Sequence, residues 1–508
     1  MSARTALRVA IIGSGFGGIA MAVKLQRRTG AQFTIFEQSP GVGGTWFENR
    51  YPGCEVDIPS HAYSFSFVKK DWPRTHATQP ELLAYAEEVV DRFGLRRHIR
   101  LSTRVQTVRW DGSRGRYTVI TADGAAEEFD FVVSAVGLLN VPRYPDWPGL
   151  QDFRGVVFHT SRWEHEHDLT GKRVAVVGTG STAAQVVPAL APRVGELLVY
   201  QREPGWVEPK FERSYAPWER WMYRRVPLAQ RIHRAYLFAV AGRRFKANDV
   251  RSRRQRRMRQ LCLDYLARAV HEPRTRAALT PDYPWGCKRP IVASTYYPAF
   301  NRPNVTLVPH AVIRVTPDGV VDATGRECPV DVIVLSTGFQ PQRFLAGLHV
   351  TGEDGRELHE VWAQRASAFL GITVPGFPNF FILYGPNTNG GTSIIAQLER
   401  QAEVAVRAIR AAERRGGGRV ETSPRAAEAW TRWIDEQLAS HASAMSAGCH
   451  NYYTVSGGAN VTQWPRTHLV YLLATRWLGR RGLRLLPRAT HAAYAPAAGA
   501  GKTKAPVR

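Results

Sequence analysis

Residues 8–37 read RVAIIGSGFGGIAMAVKLQRRTGAQFTIFE. An apolar run leads into the turn Gly13-Ser14-Gly15-Phe16-Gly17-Gly18, an Ala-rich segment of helical period follows, and a second apolar run ends in Glu37. Strand, glycine turn, helix and strand in that order form a dinucleotide-binding unit. Its glycines tighten the turn, admit a pyrophosphate to the backbone and let helix pack on strand. The N-terminus of the helix then holds the phosphates, and the acid at the end of the second strand is placed to accept hydrogen bonds from a ribose. A Gly-rich turn alone would be weak; its flanking elements make it specific.

The same pattern returns at residues 172–202, KRVAVVGTGSTAAQVVPALAPRVGELLVYQR, with Gly178-Thr179-Gly180-Ser181-Thr182 opening the second helix. Arg202 stands as far from Gly178 as Glu37 stands from Gly13, so one position carries an acid in the first unit and a base in the second. A carboxylate there suits a free 2′-hydroxyl, whereas a guanidinium suits a 2′-phosphate. The reading is FAD on the first unit and NADPH on the second. Glu203, directly after Arg202, sets a negative charge beside that phosphate.

At 508 residues, 44% of them hydrophobic and 22% charged, the chain has length for two or more domains and for buried cores. Its net charge of +25 comes mostly from Arg spread along the sequence. That distribution reads as a solvated basic surface able to steer an anionic dinucleotide inward, so neither nucleic acid nor membrane is expected as a partner. Five cysteines, an odd number with no CxxC pair, indicate no disulfide framework, no zinc site and a reducing, cytoplasmic setting. No metal is expected. Arg4 and Arg8 before an apolar run imitate a secretory signal, but the glycine turn inside that run marks a buried strand. No segment has the ~18 uninterrupted apolar residues of a membrane span.

Along the chain, the loop from Pro40 to Asp57 combines glycines, aromatics and the opposite charges Arg50 and Asp57. It fits a wall against a flat ligand or a surface loop with a structural ion pair. A helix is expected over 81–93 and a small antiparallel meander over 101–136, ending in a buried strand that runs into Gly137. The Pro-rich stretch 141–149 is the first boundary. Residues 209–268 turn helical and basic, and the Arg251–Arg257 run reads as a solvated face without a nucleic-acid reader motif. DVIVLSTG, 331–338, repeats the strand-to-glycine closure. FPNFFILYGPNTNGGTSI, from Phe377, gives another strand, then Gly385-Pro386-Asn387 and a helix start. Helices over 393–414 and 426–440 follow, then an apolar, Arg-dotted segment over 468–486 read as a packed terminal helix. A tail rich in Ala, Gly, Pro and Lys closes the chain.

Phe153, Gly155, His159 and Trp163 spell FxGxxxHxxxW between the two nucleotide units. This pattern resembles the fingerprint of type I Baeyer-Villiger monooxygenases, class B flavin-dependent enzymes that insert one oxygen atom next to a ketone carbonyl. Gly44-Thr45-Trp46, Arg50-Tyr51-Pro52-Gly53 and Asp57 are similar to that family's second motif, and the likeness runs from Arg8 to about Pro465.

The resemblance implies an α/β fold with two Rossmann-like dinucleotide-binding domains, for FAD and NADPH, and a helical insertion. The expected division is 1–150 and 346–485 for the FAD domain, 151–208 and 286–345 for the NADPH domain, 209–285 for the insertion and 486–508 for a disordered tail. It also implies that Arg289 meets the reduced flavin and its peroxide, with Asp57 orienting it, and that Lys288 helps to hold the 2′-phosphate. Thr45, Trp46, Tyr63 and Asn387 join the first unit's glycines on the flavin side. His159 and Trp163 are expected to couple the domains and not to donate a proton.

The partners implied are a small-molecule ketone and O2. Two other readings stay open at this point: an N- or S-oxygenating flavin monooxygenase, and a non-catalytic basic protein that binds nucleotide or nucleic acid. A disulfide reductase would share both folds but requires the absent CxxC.

Overall fold

The computed structural model describes residues 6–390, 393–444, 451–455 and 458–487. Two five-stranded parallel sheets form its frame. In the first, Arg8–Ile12 lies between Gln32–Phe36 and Phe131–Ser134, with Ile99–Arg100 and Phe380–Ile382 at the edges. In the second, Arg173–Val177 lies between Glu196–Tyr200 and Val332–Leu335, with Val305–Val308 and Val156–His159 outside them. Each glycine turn therefore leaves the central strand where strand order reverses, the crevice in which such sheets bind ligands. The runs VAII, FVVS, VAVV and VIVL are buried along their whole length, as parallel strands covered on both faces must be.

Close packing explains the glycines. The helix Phe16–Arg28 lies so near its strand that a Cβ on Gly18 would sit 1.9 Å from the Gly13 carbonyl oxygen. Gly13 itself has φ +104°, and a Cβ there would meet the Ala135 carbonyl at 2.7 Å. On its outer side the same helix packs on Ile394–Arg414, with Leu398 in contact distance of Gly17.

The antiparallel meander is present as Val105–Asp111, Arg116–Thr121 and Ala126–Phe129, extended by His349–Thr351. A second meander, Val312–Thr316, Gly319–Asp322 and Glu327–Pro329, was not foreseen. The helix expected over 81–93 runs Gln79–Arg92, because Thr78 and Glu81 form a capping box ahead of the apolar periodicity. Four helices fill the 209–285 stretch: Pro217–Arg225, Ala229–Phe245, Arg253–Ala269 and Pro273–Ala278. The chain leaves for them at Val207–Glu208 and returns beside it at Ile291–Val292.

Val156–His159, which ends in the fingerprint His, is an edge strand of the second sheet, paired with Val332–Leu335. Two expectations are corrected. Order continues past 485, since Leu483–Leu486 pairs with Arg419–Thr422; the remainder of the expected tail, 488–508, lies outside the described residues. Cys54, Cys262 and Cys328 are free and buried, but Cys287 is disulfide-bonded.

Gly18→Ala should lower stability by at least ~2 kcal/mol, because its methyl meets backbone and not a movable side chain. Gly180→Ala, whose methyl meets nothing within 4 Å, should stay within ~0.5 kcal/mol of the parent. Thermal unfolding of the two variants checks the contrast.

Candidate active site

Both glycine turns open onto one cavity of about 1690 Å³. The first turn contributes Gly13, Gly15, Phe16 and Gly17 to its wall, and the second contributes Gly178, Gly180, Ser181 and Thr182. Helix Phe16–Arg28 starts without a side-chain cap and with no acid in its first turn, and so does Ala183–Leu190. Their first N–H groups are left for an anion. Gly44, at φ +57°, comes so close to Gly15 that a Cβ there would lie 2.9 Å from the Gly15 Cα. Side chains are excluded between Gly15 and Gly44 at the first mouth, the fit that a pyrophosphate lying against backbone requires.

Opposite charges occupy the two ribose positions. Glu37 is buried, its Oε2 accepting from the Ser14 N–H and hydroxyl at 2.8 Å each and its Oε1 from the Ser39 N–H at 2.9 Å. This fixes its direction and leaves capacity on Oε1. In the second unit Arg202 is exposed on the cavity wall, beside Glu203 and Lys288. Glu203 forms an ion pair with Lys288, whose ammonium also lies 4.7 Å above the Tyr283 ring.

Where the units meet, the Arg289 guanidinium donates to Asp57 at 2.7 Å. Burial pushes the Asp57 carboxyl up, but the charge and hydrogen bond of Arg289 outweigh it and bring the carboxyl below its ordinary range. Asp57 in turn holds Arg289 still more firmly protonated. Arg50, expected to balance Asp57, instead donates to the Phe47 carbonyl and stacks on the Phe47 ring. Tyr63 joins Phe16 and Trp46 in an aromatic wall, accepting from the Trp46 indole at 3.2 Å.

Several predicted residues stand behind the wall. Gly18 packs the helix. Asn387 is buried and donates to the carbonyls of Asn460 and Gln463, while the neighbouring Asn389 and Gly390 face the cavity. Phe153 packs in the second sheet's core, where a Cβ on Gly155 would strike the Asp331 carbonyl at 2.3 Å. Trp163 packs edge-on against Phe158.

His159 is buried; its Nδ1 accepts from the Ser161 N–H at 3.1 Å, so Nε2 carries the proton and donates to the Gly338 carbonyl at 3.1 Å. Burial brings its pKa down to about 4. The ring is therefore neutral and fully engaged, with no proton to offer the cavity.

Residues that sequence reasoning passed over tie the units together. Arg162, one position before the fingerprint Trp, forms an ion pair with Glu48 of the first unit. Tyr51 donates to Gln185 Oε1 at 2.9 Å, and Gln185 Nε2 donates to the Glu55 carbonyl at 3.0 Å. A charge inside the fingerprint was the one available signal; its partner, more than a hundred residues away, had none. Glu164, Glu166 and His167 converge closely enough to share a cation, but outside the cavity wall.

Comparisons with known proteins agree with this geometry. The family model described as flavin-binding monooxygenase-like matches residues 6–249. The chain is 39% identical over 473 residues to a Baeyer-Villiger monooxygenase of Streptomyces coelicolor, covering 92% of this chain and 91% of the relative. It superposes with TM-score 0.84 and 28% identity on OTEMO in complex with FAD and NADP, covering 95% of this chain and all of the other. Cyclohexanone monooxygenase with cyclohexanone bound gives TM-score 0.82 at 29% identity, covering 95% of this chain and 99% of the other.

Because His159 is held neutral with its pKa depressed from 6.5 to about 4, its contribution to stability is complete above pH 6.5 and drains away as pH falls towards 4. His159→Gln lacks that titration. The stability advantage of the parent over His159→Gln should therefore be constant above about pH 7 and shrink steadily below it, as read by denaturant unfolding across pH.

Proposed function

We infer that this chain, which belongs to the flavin-binding monooxygenase-like family and within it to the Baeyer-Villiger monooxygenases, is an FAD-containing, NADPH-dependent enzyme that inserts one oxygen atom of O2 beside a ketone carbonyl to give an ester or lactone. The observation that carries this reading is a single cavity joining two glycine turns of opposite ribose-position charge to Arg289.

On this reading the residues of the first unit that would hold FAD are Gly13–Gly17 for its pyrophosphate, Glu37 for its ribose and Gly44, Thr45, Trp46 and Tyr63 for its ring system. Those of the second that would hold NADPH are Gly178–Thr182 for its pyrophosphate and Arg202 and Lys288 for its 2′-phosphate. Bound FAD, reduced by NADPH, supplies the activation of O2. On this reading the enzyme works in the cytoplasm, where NADPH is available as reductant.

Arg289 supplies the polar chemistry that selects the reaction. A carbonyl carbon is attacked by an oxygen nucleophile, and a deprotonated oxygen is the better one. A permanent cation at the meeting point lowers the cost of that deprotonated form and also takes up the charge that builds on the ketone oxygen. A heteroatom oxygenase needs the opposite, a protonated oxygen given up to an electron-rich nitrogen or sulfur. Asp57 positions the guanidinium and keeps it charged. His159, through Ser161 and Arg162 to Glu48, couples the closing turn of the second unit to the loop of the first, which helps to keep water from the reacting atoms.

Arg289→Met should retain FAD absorbance yet lose ester formation by roughly 10²–10³-fold, scored by gas chromatography on a ketone panel. A parent enzyme that oxygenates a sulfide and none of the ketones would replace this reading with heteroatom oxygenation. Glu203→Gln frees Lys288 and should lower KM for NADPH about two- to fivefold, the scale of a half-exposed ion pair. KM for NADH, which lacks the 2′-phosphate, should not move.

A further inference from the structure

Most of the large apolar side chains exposed on this protein fall within two stretches, 211–240 and 469–478. On helix Ala229–Phe245 they recur every fourth residue, Ile232 at 66% exposed, Tyr236 at 62% and Val240 at 41%. On helix His468–Arg481 the same spacing gives Leu469 at 63%, Leu473 at 45% and Trp477 at 58%. Each set makes one stripe on its helix. The opposite stripes are the packed ones: Tyr471, Thr475 and Gly479 are buried on the second helix, while Phe238 and Arg234 turn inward on the first, Arg234 donating to the carbonyls of His61 and Ser64.

The two helices are neighbours. The Phe238 and His468 rings are 5.0 Å apart, and Thr467 lies against Gly242. Helix Pro217–Arg225 joins them through Tyr223, 5.1 Å from the His233 ring, and presents Trp218 and Trp221 at 66% and 57% exposed.

Charge on the two longer helices has one sign, and the single acid of Pro217–Arg225, Glu219, is buried and paired with Arg213. Neither Ala229–Phe245 nor His468–Arg481 contains an Asp or Glu. Arg225, Arg231, Arg243, Arg476 and Arg480 are exposed, and among the described residues none of them has a carboxylate within ion-pair distance. Exposed indoles and aliphatic side chains set among unpaired arginines are the composition of helices that lie in a membrane interface, where the apolar stripe enters the acyl boundary and the cations meet headgroup phosphates. Among the described residues no helix is long and apolar enough to cross a bilayer, so the contact proposed is with its surface.

We propose that the outer faces of helices Ala229–Phe245 and His468–Arg481, with Pro217–Arg225 beside them, form a landing surface for an anionic phospholipid bilayer. Charge complementarity selects this occupant. A second copy of the chain would set arginines against arginines on the same stripes. A nucleic acid would use the cations and leave Ile232, Leu469 and Leu473 unserved. The sequence reading of 468–486 as a packed helix accounts for its inner stripe alone.

Vesicle flotation of the full-length, FAD-loaded protein tests the proposal. It should float with vesicles containing about one-third phosphatidylglycerol at about 0.1 M salt, stay down with phosphatidylcholine alone, and be released in part at about 0.5 M salt. The pairs Ile232→Gln with Trp477→Gln, and Arg476→Glu with Arg480→Glu, should each cut the bound fraction by about tenfold or more. Their melting temperature and flavin absorbance should match the parent. Failure of the parent to float with anionic vesicles overturns the proposal. So does undiminished flotation of the apolar pair, which would mark a general polyanion surface. Concentration-dependent dimerisation abolished by that pair would assign the face to a second copy.

Discussion

The hydrogen-bonded ion pair between Arg289 and Asp57 joins parts of the chain that sequence distance keeps far apart. Asp57 ends the loop that follows the first nucleotide unit, and Arg289 stands where the helical insertion returns to the second. Each charge favours the other in that position, where both side chains line the cavity and stay part-exposed. Together they set a fixed cation at the seam of two domains, with the carboxylate drawn below its normal range and the guanidinium raised. The cavity has to be bordered by both sheets for this pair to form, so the docking of the domains and the placing of this cation are one constraint.

That docking is held by short polar links as well as by a buried apolar cluster that runs through both units. Tyr51 and Glu55 grip Gln185, a Cβ on Gly53 would come within 2.6 Å of the Gln185 carbonyl, and Glu48 pairs with Arg162. His159 stands behind these contacts, locking the Gly338 turn to the Ser161 turn with both ring nitrogens. The FxGxxxHxxxW pattern thus works at one remove. Its Gly and Phe pack an edge strand, its His braces two turns, and the residues that touch the other domain are the unremarked neighbours of the pattern.

Features governed by local rules were legible in the sequence. Two glycine turns with strand before and helix after specify their own geometry, and matched spacing to Glu37 and Arg202 distinguishes their ligands. Pairings across long separations were not. Asp57 and Arg50 looked like partners at a distance of seven residues, yet Arg50 stacks on Phe47 and Asp57 finds Arg289. The resemblance put Asn387 on the flavin side, but its amide is spent on the carbonyls of Asn460 and Gln463, and Asn389 takes the cavity side. The second meander escaped notice because its three strands are only three to five residues long, too few for alternation to stand out.

Net charge has a geometry that composition hides. The arginines on the inner side of the insertion are committed: Arg220 to Asp71 at 2.7 Å, Arg244 to Glu208, Arg234 to two carbonyls of the first unit. Arg225, Arg231 and Arg243, on its outer side, have no carboxylate partner among the described residues. A two-residue parallel pairing, Val207–Glu208 with Ile291–Val292, is where this insertion joins the second unit, and Arg289 lies two residues ahead of it. Glu208 belongs to that pairing and to the Arg244 ion pair alike, so the helix bearing the outer apolar stripe is bonded directly to the strand pair that Arg289 precedes.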